Sequence, residues 1–154
     1  MPHSHKATVS WQRGDAVFTD NRYSRGHEWR FDEGVTVPAS ASPHVVRAPF
    51  SVARAVDPEE ALVASASSCH MLSFLYIAAR RGFLIDRYDD DAEGVLDKND
   101  QGREAITRIT LRPRIAFSGS KHPSAEELDA MHHEAHEICY VANSLKSEIV
   151  VEPA

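Results

Sequence analysis

Cysteine is scarce in this sequence, with two among 154 residues. So few cysteines exclude a small scaffold held together by disulfides. Hydrophobic residues make up 42% of the chain and charged residues 26%. These values are near the averages of globular proteins and argue against wholesale disorder. The length suits a single domain over residues 1–154.

Basic residues are also few. The chain has 17 Lys and Arg against 23 Asp and Glu, a formal net charge of −6. Nucleic acids and anionic membranes are bound mainly through a surplus of Lys and Arg. The charge balance therefore argues against both as partners.

The N-terminal residues MPHSHKATVSWQRGD contain no apolar stretch of the kind found in a secretory signal. Residues 61–79 carry no formal charge and have the length of a membrane-spanning helix. They also contain four serines and His70, and no second apolar segment follows. We interpret the segment as a central core helix and expect a cytoplasmic protein, a compartment where cysteines usually remain thiols.

Common motifs for cofactors and hydrolysis are missing. The sequence has no Gly-x-Gly-x-x-Gly, no phosphate-binding loop and no Gly-x-Ser-x-Gly, and residues 132–136 (HHEAH) do not form His-Glu-x-x-His. We therefore expect no cofactor.

Two helices are predicted from their end signals. Asp57-Pro58-Glu59-Glu60 places an N-cap, a proline and acids in a first turn, and Gly82 ends that helix after Arg81. A capping box at 123–127 (PSAEE) begins a second helix that extends to about Tyr140.

Strands are predicted on both sides of the helices. Residues 7–12 and 16–19 are typical of a short hairpin, 88–98 and 105–118 flank a turn at 99–102, and 145–152 alternate as a last strand. This order predicts an α+β fold with two principal helices, one buried centrally, on a mainly antiparallel sheet.

The two cysteines are the first candidates for chemistry. Cys69 lies in the middle of the apolar helix and Cys139 at the end of the second helix, 70 positions later. Either could be a simple core thiol, because free cysteine is among the most buried residue types. The spacing is no Cys-x-x-Cys motif, so the two could meet only through the fold. Helices that cover the same sheet would allow it.

A metal site is the second candidate. His132, His136 and Cys139 are spaced i, i+4, i+7 and share one helical face, a pattern that suits zinc. The alternative is a polar face on which the histidines pair with Glu134 and Glu137.

Several motifs together resemble the OsmC/Ohr family of osmotically inducible and organic-hydroperoxide-resistance proteins. They are residues 57–60 (DPEE), 64–70 (ASASSCH), and Cys139 followed by 142–144 (ANS) and Lys146. The resemblance covers nearly the whole chain. It implies an intertwined homodimer with active sites at the subunit interface.

The same resemblance implies a thiol-dependent peroxidase for organic hydroperoxides. Cys69 would attack the peroxide, Cys139 would resolve the sulfenic acid into a Cys69–Cys139 disulfide, and a dithiol, lipoyl-type or similar, would reduce the disulfide. Glu59 would orient an arginine, for which Arg25 is the best match and Arg22 the fallback.

An arginine suits this chemistry physically. An ordinary cysteine has a pKa of about 8.5, so about 3% is thiolate at pH 7, and burial disfavours the anion further. A guanidinium is always charged and can offset that cost. Ten residues separate Glu59 from Cys69, or roughly 15 Å along a straight helix. If one guanidinium serves both, then either the helix breaks between them or Glu59 and Arg25 come from the partner subunit.

One position departs from the family pattern, because Tyr140 follows Cys139 where many members have proline. Apolar residues near Cys69 could shelter an alkyl tail: Met71, Leu72, Phe74 and Tyr76. The alternatives to a peroxidase are a metal-binding or redox-sensing protein of this family, or one that binds a small ligand without turnover.

Overall fold

The computed structural model describes residues 1–153. Residue contacts divide the chain into two compact units, Met1–Ala61 and Leu62–Ala154. The single domain over residues 1–154 stays a prediction.

The first unit contains a three-stranded antiparallel sheet of β1 (Thr8–Ser10), β2 (His27–Arg30) and β3 (Thr36–Ala39). The predicted hairpin of 7–12 with 16–19 is wrong, because β1 pairs with β2 instead. Phe18 has a φ of 77°, a left-handed conformation that interrupts any strand there. Trp29 lies opposite both Val9 and Val37, so one aromatic residue joins the three strands.

The long helix α1 (Pro58–Arg80) begins and ends where its signals predict. The amide of Glu60 donates to Asp57 Oδ1 over 2.8 Å, and the amide of Asp57 donates to Glu60 Oε1 over 2.9 Å. This reciprocal pair satisfies two amides that the helix itself leaves unbonded. Gly82 follows with a φ of +81°, which glycine adopts without strain.

The other elements of the second unit are five strands and two helices. They are β4 (Leu84–Asp90), β5 (Glu93–Lys98), β6 (Glu104–Leu111), β7 (Pro113–Ser118), α2 (Ala125–Ile138), α3 (Tyr140–Ser144) and β8 (Glu148–Val151). β4 pairs with β7 and β5 with β6, both antiparallel, whereas β8 is parallel to β6. The prediction of an α+β fold with mainly antiparallel sheets is confirmed.

Two hydrophobic clusters hold α1 in the second unit. Phe74 and Ile77 pack with Met131 and Ala135 of α2 over the β4–β7 sheet, while Ala66 packs on Ile109 and its neighbours in the β5–β6–β8 sheet. Cys69 lies between Ala66 and Phe74 along the helix, where the two clusters adjoin.

The opposite side of α1 is open in the single chain. Leu72 is 60% and Tyr76 57% exposed, so the expected central burial applies to one face of the helix. Among residues 1–153, α1 is also the one helix long and apolar enough to cross a membrane by length and composition, a test that core helices pass as well.

Candidate thiol site

Cys69 is placed by α1. Its side chain is half-buried and its thiol is free. The next residue, His70, lies on the buried stripe of the helix, four residues from both Ala66 and Phe74. The helix therefore leaves Cys69 at the border of its buried face, with the residue partly open to solvent.

Cys139 lies at a break in the second helical segment. It is the C-cap of α2 and the N-cap of α3, with an extended backbone (φ −72°, ψ 114°). The amide of Ala142 donates to its Sγ over 3.4 Å. The predicted helix through Tyr140 therefore ends two residues early, because Cys139 caps one helix and begins the next.

The fold brings the two sulfurs together. Cys139 is 1% exposed, and its thiol lies close enough to Cys69 for that side chain to raise its pKa. Burial raises the pKa of the Cys139 thiol, the amide of Ala142 opposes this rise, and contact with Cys69 adds to it. Both thiols are free, so the fold leaves two neighbouring reduced sulfurs, one on α1 and one at the end of α2.

Glu59 and Arg25 are not paired with each other in the chain. Glu59 lies in the first turn of α1, and its Oε2 is buried without a hydrogen-bond partner among residues 1–153. No ion pair joins it to Arg25 within that range. Because α1 is continuous from Pro58 to Arg80, the alternative in which the helix breaks is wrong.

The Arg25 guanidinium is held locally instead. It donates to the carbonyls of Asn21 (3.1 Å) and Tyr23 (2.5 Å) and to Asn21 Oδ1 (2.8 Å). Its carbon lies 3.7 Å from the centre of the Tyr23 ring, a cation–π contact. Arg22, the fallback, lies 5.8 Å from the centre of the Phe50 ring.

An apolar cavity of about 490 Å³ lies in the first unit beside Arg25. Three aromatic residues form much of its wall: Trp11, Phe18 and Tyr23. Their rings are 4.7–5.7 Å apart between centres. The sequence interpretation missed this cavity, because it looked for apolar residues on α1. There Phe74 is buried in the core, and Leu72 and Tyr76 are exposed.

The histidines form a core contact. His70 Nε2 and His132 Nδ1 are 3.0 Å apart, with side chains in the buried interior. Burial is the main cause that lowers the pKa of each to about 4. The sequence interpretation gave His70 no role, although its spacing from Ala66 and Phe74 marks it as an inward position.

The zinc alternative gains no geometric support. Within residues 1–153, no group of three or more His, Cys, Asp or Glu side chains is arranged to hold a metal ion. His132 is turned to His70 rather than to an acid of its own helix, so the pairing predicted with Glu134 or Glu137 is wrong for it.

The family described as OsmC-like protein matches residues 51–154. The chain belongs to the OsmC-like family. An OsmC-like protein of unknown function from Vibrio cholerae is 51% identical, with a TM-score of 0.97 over 99% of this chain and 100% of that chain. A comparison with curated protein sequences gives no match.

Two solved structures named organic hydroperoxide resistance proteins share the OsmC-like fold at low identity. The protein from Elizabethkingia anophelis is 15% identical, with a TM-score of 0.71 over 99% of this chain and 95% of that one. OhrB of Bacillus subtilis is 18% identical, with a TM-score of 0.70 over 99% and 98%. At such identities the likeness concerns the fold.

Proposed function

We propose that this OsmC-like protein is a thiol-dependent peroxidase that reduces organic hydroperoxides to alcohols. The contact between the free thiols of Cys69 and Cys139 is the observation that carries the proposal. Two cysteines 70 positions apart meet inside the second unit, which gives the chain a sulfur that can be oxidised and a second that can close a disulfide on it.

The surroundings of the two sulfurs support a different role for each. Cys139 is buried and has a raised pKa, so it stays protonated at neutral pH and is a poor first nucleophile. Cys69 is half-buried and can meet a substrate. Cys69 is therefore the attacking residue and Cys139 the resolving one.

The cycle has three balanced steps. The Cys69 thiolate attacks the distal oxygen of ROOH, the O–O bond breaks, and the alkoxide takes a proton to leave as ROH, with a sulfenic acid on Cys69. The Cys139 thiol displaces the sulfenic hydroxyl, forming the disulfide and water. A dithiol, lipoyl-type or similar, then exchanges with the disulfide, which restores both cysteines and oxidises the dithiol.

The working unit is a homodimer in the cytoplasm. The open face of α1 exposes Leu72 and Tyr76 on an otherwise apolar helix, and a second copy would cover it. Glu59 keeps a buried oxygen without a partner, which a guanidinium of the same chain would satisfy once dimerisation brings both groups to Cys69 of the partner subunit. Arg25 is the proposed donor, and the cavity beside it suits the alkyl part of the substrate.

Thiol counting tests the peroxidase. One equivalent of cumene hydroperoxide is expected to remove both thiols per chain from the wild type and to produce the Cys69–Cys139 disulfide. Cys69→Ser should lose at least about a hundredfold in rate, since the nucleophile is gone. Cys139→Ser is the matched control, because it should still lose its single thiol at near wild-type rate and stop at a sulfenic acid. Equal consumption by wild type and Cys69→Ser would reject the enzyme.

A further inference from the structure

A pair of histidines connects the two helices that lead to the cysteines. His70 on α1 and His132 on α2 are 1% and 4% exposed. Their Nε2 and Nδ1 atoms are 3.0 Å apart, and their rings are 9° from parallel. Each ring has one nitrogen in this contact, so one imidazole donates its N–H and the other accepts.

Packing does not explain why these positions are polar. His132 stacks on Phe74 with ring centres 4.4 Å apart, and the surrounding cluster is apolar. The second nitrogen of each ring, His70 Nδ1 and His132 Nε2, is buried without a hydrogen-bond partner among residues 1–153. Unpaired buried nitrogens cost stability that an apolar side chain would not, so the pair calls for a reason beyond filling the core.

The place of the pair in the chain supplies a reason. His70 follows Cys69 directly, and His132 lies seven residues, about two helical turns, before Cys139. A disulfide forms only within narrow limits of sulfur separation and dihedral angle. Apolar packing alone tolerates some sliding and rotation of one helix on the other. A directional hydrogen bond between the helices restricts the sliding as well as the rotation.

We propose that the His70–His132 hydrogen bond is a positioning device that sets α1 against α2 so that Cys69 and Cys139 can close their disulfide. The histidines act through the helices and take no chemical step. Burial, which keeps both imidazoles neutral at pH 7, preserves the donor–acceptor match. The inference rests on the proposed function for its biological use, but not for its test.

The two positions allow a matched set of amide variants. The bond uses Nδ1 of His132, whose place an Asn amide can take, and Nε2 of His70, whose place a Gln amide can take. His132→Asn and His70→Gln should close the disulfide within about threefold of the wild-type rate. His132→Gln and His70→Asn should slow it by about tenfold or more, because small misplacements have large effects on rate.

Two measurements separate positioning from other effects. After addition of cumene hydroperoxide, the rate of the first step, the oxidation of Cys69, should stay within about twofold of the wild-type rate in all four variants. The sulfenic acid should accumulate, trapped by dimedone, only where the amide is mismatched. His133→Asn, at an exposed neighbouring position on α2, is the control and should behave as wild type.

An equilibrium in glutathione buffers tests the positioning without any hydroperoxide. The constant for forming the Cys69–Cys139 disulfide should fall by about tenfold in the mismatched variants and little in the matched ones. If the wild type consumes no hydroperoxide, the proposed function fails and this constant still decides the positioning. Equal constants and equal rates for Asn and Gln at both positions, in variants with wild-type circular dichroism, would overturn the inference.

Discussion

At the scale of single residues, burial gives side chains of the same type different chemical properties. Cys69 is half-buried at the border of α1, whereas Cys139 is enclosed and its pKa is raised. His133 is exposed beside a His132 that is buried against His70. Desolvation penalises the charged form, so burial raises the pKa of Cys139 and lowers that of His132.

The buried histidines predict a pH dependence of stability. His70 and His132 have folded pKa values of about 4 against 6.5 for the ordinary group. The unfolded chain therefore binds more protons between these values, and stability falls as pH is lowered through this window. The slope contributed by each histidine is at most about 1.4 kcal/mol per pH unit.

Urea unfolding at a series of pH values from 4 to 7 measures this slope. The double variant His70→Gln/His132→Asn should flatten it, while His133→Asn should leave it unchanged. His136 also lowers the pKa of His70 and Asp90 raises it, so both neighbours are kept intact. A slope in the double variant equal to that of the wild type would show that the pair does not titrate in this range.

At the scale of elements, helix ends and close contacts between helix and sheet determine where the candidate side chains lie. The end of α2 at Cys139 puts a sulfur where the backbone leaves the helix, and the amide of Ala142 reaches it. At Gly94 on β5, an added Cβ would lie 2.5 Å from Val63 Cγ2. The lack of a side chain on β5 therefore sets how closely α1 approaches the sheet.

Gly94→Ala tests this approach. We expect a loss of about 1–3 kcal/mol in the free energy of unfolding, since the new methyl group overpacks the contact. The double variant Val63→Ala/Gly94→Ala removes the clashing methyl and should be more stable than the sum of the two single changes. Strict additivity in chemical denaturation would contradict the contact.

At the scale of the whole molecule, the proposed function predicts that each active site uses groups from two chains. Within one chain Glu59 keeps an unpaired buried oxygen, and Arg25 is held by Asn21 and Tyr23. On a continuous helix, Glu59 and Cys69 lie roughly 15 Å apart along the axis, too far for one guanidinium. In a symmetric dimer, Glu59 and Arg25 of one chain would serve Cys69 of the partner subunit, which gives two equivalent sites.

Mixed dimers test the exchange. Arg25→Gln and Cys69→Ser are each expected to be nearly inactive alone. Co-expressed with different tags, they should regain about a quarter of the wild-type peroxidase rate, since half of the dimers carry one intact site of two. No recovery would place the arginine and the cysteine of a site in the same chain. Arg22→Gln, fully active by itself, is the control for the choice of arginine.

Local signals in the sequence were enough to predict many helix and turn positions of the second unit. The bounds of α1, the capping box of α2 and the turn at 99–102 follow from residues next to one another. The first unit was predicted less well, because β1 pairs with a strand that lies some twenty residues away. Strand pairing at that distance depends on the turn between, where Phe18 adopts a left-handed backbone.

The helices, the α+β class and the two candidate cysteines could be predicted from the amino-acid sequence, since capping, periodicity and residue type are local properties. The proximity of Cys69 to Cys139 and the pairing of His70 with His132 became visible in the folded chain alone. Both contacts join residues more than sixty positions apart, and burial shifts the pKa values of Cys139, His70 and His132. Such contacts depend on how α1 and α2 pack over the β4–β7 sheet, which no local pattern encodes.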